Sequence, residues 1–160
     1  MSVNVETRVD APGSAEHAED AWNLKEEIRA QEGVLKQRRT FFVDAYRRAR
    51  DHLLFEEERL VGFASVRRDG YILFLAVAPD CRGEGHGERL VAAALQEHES
   101  ISCHARATNE SALSFYEHLG FEIQRRITGY YEDGGDAYYL RLGDGGTLRQ
   151  KFAEFFRRRR

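Results

Sequence analysis

The sequence is poor in the features that mark several common protein classes. Cysteine occurs only at Cys81 and Cys103, too few for a disulfide framework and without metal-ligand spacing. A reducing, cytoplasmic setting is therefore expected. No apolar run approaches the roughly 20 residues that span a bilayer. The opening MSVNVETRVDAPGS has neither the basic nor the apolar region of a secretory leader. Positive charge is not in excess: 24 Lys and Arg against 27 Asp and Glu give a formal net charge of -3. That balance argues against a protein that coats nucleic acid with its whole surface. No internal repeat at solenoid spacing is visible, and low complexity is confined to the terminal arginines.

The 160 residues suit one domain, and 42% hydrophobic with 32% charged residues is a soluble globular balance. An alternating segment from Val3 to Val9 precedes the breaker Pro12-Gly13. Ser14 is the expected N-cap of a helix running to about Gln31, with Ala21, Leu24 and Ile28 on one face and Gly33 as its stop. Phe42, Ala45, Tyr46 and Ala49 recur at helical spacing after Thr40. The period then changes. His52 to Glu57 and Leu60 to Val66 read as strands joined by a tight turn, and Tyr71 to Ala78 (YILFLAVA) reads as a strand buried on both faces. A helix is expected from about Glu88 to His98, a short strand from Ile101 to Ala107, and a helix after Asn109 that ends at Gly120. Strands from Phe121 to Tyr131 and Ala137 to Leu142 close a mixed α/β order.

The most informative segment is VAPDCRGEGHG, Val77 to Gly87. A strand runs into a loop carrying Gly83, Gly85 and Gly87, which opens into an amphipathic helix. Free N–H groups at a helix start, a favourable dipole and glycines that allow close backbone approach together suit an anion. Arg82 adds positive charge. The glycine spacing is wrong for a dinucleotide fingerprint, and no Lys-Ser/Thr pair follows as in a Walker loop.

This segment resembles the signature of the GNAT acetyltransferase superfamily, a strand followed by R/Q-x-x-G-x-G/A at a helix start, matched by Arg82, Gly85 and Gly87. The resemblance implies a GNAT-like mixed α/β (α+β) fold. Its central, mostly antiparallel twisted sheet would have six to seven strands, including a splayed parallel pair, flanked by about four helices. It further implies acetyl-CoA as co-substrate, with no metal. The coenzyme pyrophosphate would be held by backbone amides of Gly83, Glu84, Gly85, His86, Gly87 and Glu88, with Arg82 beside them. Leu75, Ala76 and Val77 would pair with the pantetheine arm as an added strand does, one of their amides polarising the thioester carbonyl.

A second block, N-x-x-A-x-x-F-Y-x-x-x-G-F from Asn109 through Phe121, is also similar to the family's pattern. By spacing alone Asn109 reads as a helix cap and Tyr116 as a core tyrosine. The resemblance gives Asn109 a cofactor contact and Tyr116 the role of general acid toward the departing thiolate. A phenol of pKa about 10 can protonate a thiolate whose conjugate acid lies near 8.5. The YY turn at Tyr130 and Tyr131, followed by Asp136-Ala137, looks like the branch that acetylates protein N-termini, including ribosomal-protein alanines. There the hairpin helps bind the acceptor peptide.

One position departs from that branch. Where L-E-V-R-x-x-N would place a basic glutamate, this chain has Cys103-His104-Ala105-Arg106. His104, with an ordinary pKa near 6.5, takes the base position. Deprotonating an α-amine at pH 7 costs only about 1 kcal/mol, against roughly 4–5 kcal/mol for a lysine amine. A weak base thus fits an N-terminal acceptor. Cys103, next to His104 in a strand, points to the opposite face and is not expected to carry the acyl group.

The domain is expected over residues 1–145, with residues 146–160 a basic aromatic helix or tail. In that tail Phe152, Phe155 and Phe156 precede Arg157 to Arg160. It could meet ribosomal RNA, an anionic membrane or an acidic partner, or its phenylalanines could pack on the domain with the arginines solvated. A monomer or homodimer without a membrane span is expected. Two other functions stay open at this point: acetylation of a small molecule or lysine side chain, and a non-catalytic acyl-CoA-binding module.

Overall fold

The computed structural model describes residues 4–143; the basic aromatic tail lies outside them. The chain divides between Ala94 and Leu95 into two compact units.

The first unit contains β1 (Val5–Asp10), α1 (Ala18–Glu32), α2 (Arg39–Arg48), β2 (Arg50–Glu56), β3 (Arg59–Val66) and β4 (Ile72–Val77). A short 3-10 turn, Pro79–Cys81, follows, and then α3 (His86–Gln96), whose last two residues pass the boundary. The four strands form one antiparallel sheet in the order β1-β2-β3-β4. Ala21, Leu24 and Ile28 of α1 and Phe42, Ala45 and Tyr46 of α2 are buried, as their spacing demands. Phe42 is 0% exposed and packs on Trp22, Tyr46, Phe63 and Phe74 with ring centroids 4.7–6.2 Å apart. Truncating so enclosed a ring to alanine costs about 3–5 kcal/mol.

Two expectations need correction here. The first concerns the cap of α1, which is His17 rather than Ser14. Asp10 at the end of β1 accepts from both the His17 backbone N–H and ring Nδ1, each at 2.9 Å, and so sets where the helix begins. The second concerns β4, which is not equally buried on its two faces. Ile72, Phe74 and Ala76 are buried, whereas Leu73, Leu75 and Val77 are only half-buried. The inner strand β3, from Leu60 on, is the one buried throughout.

A polar cluster lies in this unit's core. Asp10, Asp51 and Ser65 stand opposite one another across β1, β2 and β3. Asp10 is fully partnered, because the buried Tyr46 hydroxyl also donates to it at 2.5 Å. Burial pushes the Asp10 pKa upward, but the bonds from Tyr46 and His17 outweigh it and hold the carboxyl below its usual range. Asp51 is 0% exposed and neither carboxyl oxygen has a hydrogen-bond partner. Burial raises its pKa to about 9; the Ser65 hydroxyl offsets part of that rise without reaching hydrogen-bond geometry, and the Asp10 charge adds to it. Asp51 is therefore a neutral acid at pH 7.

The second unit contains β5 (Ile101–Arg106), α4 (Glu110–His118), β6 (Glu122–Ile127) and β7 (Ala137–Leu142). Its strands form an antiparallel sheet in the order β5-β7-β6. Strand β6 is shorter than its sequence suggests, ending at Ile127, because Gly129 (φ 64°) and the Tyr131–Gly135 turn take over the chain. Among the described residues there are seven strands and four helices, within the expected six to seven strands and about four helices. They are shared between two hydrogen-bonded sheets, and every ladder among the described residues is antiparallel. No helix among the described residues is long and apolar enough to cross a membrane.

Candidate active site

The glycine loop has the construction its sequence suggests. Gly83 (φ 81°) and Gly85 (φ 85°) adopt left-handed backbone that side-chain-bearing residues avoid. A Cβ on Gly83 would meet nothing within 4 Å, so the requirement there is conformational rather than steric. Helix α3 begins at His86, two residues before the expected Glu88. Its first intrahelical bond runs from the Arg89 N–H to the Gly85 carbonyl, 3.1 Å. The amides of His86, Gly87 and Glu88 precede that bond and carry the positive end of the helix dipole.

Strand β4 is the terminal strand of its sheet, so one side of its backbone has no partner within that sheet. The phase of the ladder says which groups face that side. The Ala78 N–H donates to the Val61 carbonyl at 2.8 Å. With Phe63 opposite Ala76 and Gly62 opposite Val77, alternation turns the Ala76 backbone toward β3 and the Leu75 and Val77 backbones outward. The outward Val77 carbonyl is already taken: Arg82 donates to it from Nε at 3.3 Å and Nη2 at 3.2 Å. Arg82 also forms a two-pronged ion pair with Glu32 at the end of α1, its Nη2 donating to Oε1 at 2.9 Å and its Nη1 to Oε2. Arg82 thus braces the loop against both β4 and α1. Its role as a brace was not legible in the sequence, since Glu32 lies 50 positions away.

This arrangement fits a diphosphate ester carrying an amide-rich arm. Three unbonded helix-start amides, open space before Gly83 and two outward-facing strand residues supply the donors such a ligand needs.

In the second unit, His104 projects from β5 on the half-buried face, while Cys103 faces the interior. Burial pushes the Cys103 thiol up to about 12, so it is no nucleophile at neutral pH. The register sets His104 opposite Tyr139 and Tyr139 opposite Arg125. Tyr130 stacks on the His104 ring, centroids 4.4 Å apart and planes within 10°, and Tyr139 flanks it at 5.0 Å. Burial and then the Arg125 charge lower the His104 pKa, leaving the imidazole neutral at pH 7. Tyr130 is 44% exposed. Tyr131 meets it edge-on at 5.0 Å and lies under the Arg106 guanidinium, which pairs with Asp133 at 3.1 Å. His104, Tyr130 and Tyr131 therefore share one aromatic surface, to which Tyr139 and Arg125 add members the sequence did not single out. Alternation along β7 was the signal that could have found Tyr139.

Asn109 caps α4, its Oδ1 accepting from the Ala112 N–H at 3.1 Å. Tyr116 is buried against Phe115 and Phe121, with its hydroxyl toward the Cys103 thiol. Both thus have the structural roles that spacing alone assigns, whatever further role each has.

The chain belongs to the acetyltransferase (GNAT) domain family, whose match spans residues 37–123. It is 32% identical over 96 residues to N-alpha-acetyltransferase 30 of Schizosaccharomyces pombe, a match covering 52% of this chain and 64% of that protein. The chain thus spans less than two thirds of that relative's length. Its fold is shared with Ard1 from Thermoplasma volcanium, at a TM-score of 0.70 and 22% identity over 86% of this chain and 96% of that one. It is shared equally with the ribosomal-protein alanine N-acetyltransferase from Escherichia coli, at a TM-score of 0.69 and 21% identity over 86% and 93% of the two chains.

Proposed function

We propose that this protein transfers the acetyl group of acetyl-CoA to the α-amine of a protein N-terminus. The observation that carries the reading is the left-handed glycine loop opening α3 beside the outward backbone of β4. The backbone amides from Gly83 to Glu88 hold the pyrophosphate, and β4 takes the pantetheine arm through Leu75 and Val77. Ala76, whose backbone faces β3, lines that edge without donating to it. Family membership and similarity to an N-alpha-acetyltransferase support the same reaction. The family match crosses the boundary between the two units, which supports reading residues 1–145 as one domain.

Acetyl-CoA supplies the activated acyl group, which the acceptor amine attacks directly while the thiolate departs. His104, kept neutral by burial and by Arg125, takes the amine proton directly or through water. Tyr116 is the assigned donor to the leaving thiolate, and Asn109 contacts the coenzyme through the end of its amide not used in capping. Tyr130 and Tyr131 form the wall against which the acceptor peptide lies. Most of the acceleration comes from holding amine and thioester together. We place the reaction in the cytoplasm, in a monomer or homodimer, with the basic tail as a contact for the ribosome or another acidic partner.

The test is incubation with acetyl-CoA and two acceptor panels, N-terminal peptides and lysine or polyamine compounds, read by mass spectrometry. Acetylation of α-amines is expected. Transfer only to side-chain amines would overturn the acceptor assignment, and no association with coenzyme A by calorimetry would overturn the whole reading.

A further inference from the structure

A second cluster of chemically able side chains lies at the glycine loop, where the acetyl-transfer reading uses only the backbone amides of Glu84 and His86. His86, the first residue of α3, is 6% exposed, and its Nε2 has no hydrogen-bond partner. The nearest acid is Glu56, the last residue of β2, whose Oε1 stands 4.0 Å away, beyond hydrogen-bond reach. Glu84, in the loop between two left-handed glycines, brings a second carboxylate. One ligand atom from each of the three residues lies within 4.8 Å of the other two. A buried imidazole nitrogen without a hydrogen-bond partner, facing Glu56 with Glu84 close by, is unfavourable as it stands. A cation that both carboxylates and the imidazole can bind would relieve it.

We propose that Glu56, Glu84 and His86 form a binding site for one divalent transition-metal ion of the zinc type. The donor set, one imidazole nitrogen and two carboxylate oxygens, suits zinc or cobalt and leaves a coordination position for water. With metal–ligand bonds of about 2.0–2.2 Å, tetrahedral ligands sit roughly 3.3 Å apart. The 4.0 Å between His86 and Glu56 must then close by about 0.7 Å, and separations of up to 4.8 Å by as much as about 1.5 Å, within the reach of glutamate side chains. Cys81 is close enough to feel both carboxylate charges, but its thiol is engaged by Arg59 at 3.7 Å and stands outside the set. The proposed transfer chemistry needs no metal. The ion's place is structural, tying the end of β2 to the loop and neutralising Glu84 next to an anion site.

The test uses tag-free, chelator-stripped full-length protein titrated with cobalt chloride, without coenzyme A, so its outcome is independent of the acetyl-transfer reading. One equivalent of cobalt is expected to bind with visible ligand-field bands, and zinc is expected to displace it. Glu84 is exposed, so Glu84→Gln leaves the fold intact; it is expected to weaken binding roughly tenfold or more. His86→Gln is expected to abolish the bands, with circular dichroism confirming that the variant is folded. No saturable binding up to about 1 mM would overturn the proposal. Binding that Glu84→Gln and His86→Gln leave unchanged would overturn it equally, since the ion would then sit elsewhere.

Discussion

Replacing Asp51 with asparagine should stabilise this protein at neutral pH, and by an amount that grows with pH. The carboxyl is fully buried with no hydrogen-bond partner, and its pKa is raised from 3.8 to about 9. An acid whose folded pKa is raised leaves stability intact below its unfolded pKa. Stability is then lost as pH climbs toward the folded value, because the unfolded chain ionises while the native one stays protonated. Each pH unit between about 4 and 9 costs about 1.36 kcal/mol, so the penalty at pH 7 is about 4 kcal/mol. An asparagine side chain would escape it, although its buried amide gives back about 1–3 kcal/mol through unpaired donors. The net gain at pH 7 is then about 1–3 kcal/mol, or several degrees in Tm for a chain of this size. The amide cost does not depend on pH, so the difference in slope is the cleaner quantity. Denaturant unfolding of wild type and Asp51→Asn at each pH from 5 to 8 should diverge by about 4 kcal/mol across that range. Parallel curves would refute a neutral, unpartnered Asp51. Asp10, whose pKa is lowered, acts only at the acid end, where protonation releases its bonds from Tyr46 and His17, and does not confound the comparison.

Other consequences are as direct. Tyr46→Phe removes the hydroxyl that donates to the buried Asp10 carboxylate and should cost about 1.5–3 kcal/mol of unfolding free energy, measured by denaturant titration at pH 7. Gly83→Ala places a side chain at φ 81° with no steric clash; it should destabilise by about 1–2 kcal/mol and raise the calorimetric Kd for coenzyme A. His104→Ala should lower kcat/KM about 100-fold. The acid limb of the wild-type profile should fall below the usual histidine value, because burial lowers that pKa; a limb above about 6.5 would contradict the base assignment. Asn109→Ala should cost about 1 kcal/mol through its lost cap, and a matching loss of coenzyme affinity would separate a binding role from capping alone.

Local chemistry wrote much of this protein directly into its sequence. Periodicity located the four helices and seven strands of the described residues, since amphipathic spacing reflects which face is buried. Gly33 in left-handed backbone ends α1, and Asn109 caps α4, because those roles need only neighbouring backbone. The glycine loop was legible for the same reason: a strand, two positive-φ glycines and a helix start are consecutive in the chain. What remained hidden depended on residues far apart in sequence. His17 outcompetes Ser14 as the cap because Asp10 holds it. Ala76 differs from Leu75 and Val77 only through the phase of its ladder with β3. The His104 ring is shielded because register sets Tyr139 opposite it and a distant turn lays Tyr130 over it. Asp51 and the Glu56, Glu84 and His86 cluster are ordinary polar residues until folding encloses them. Desolvation and long-range pairing arise only when separate elements meet, and in this protein they decide charge states and side-chain groupings that composition and spacing leave open.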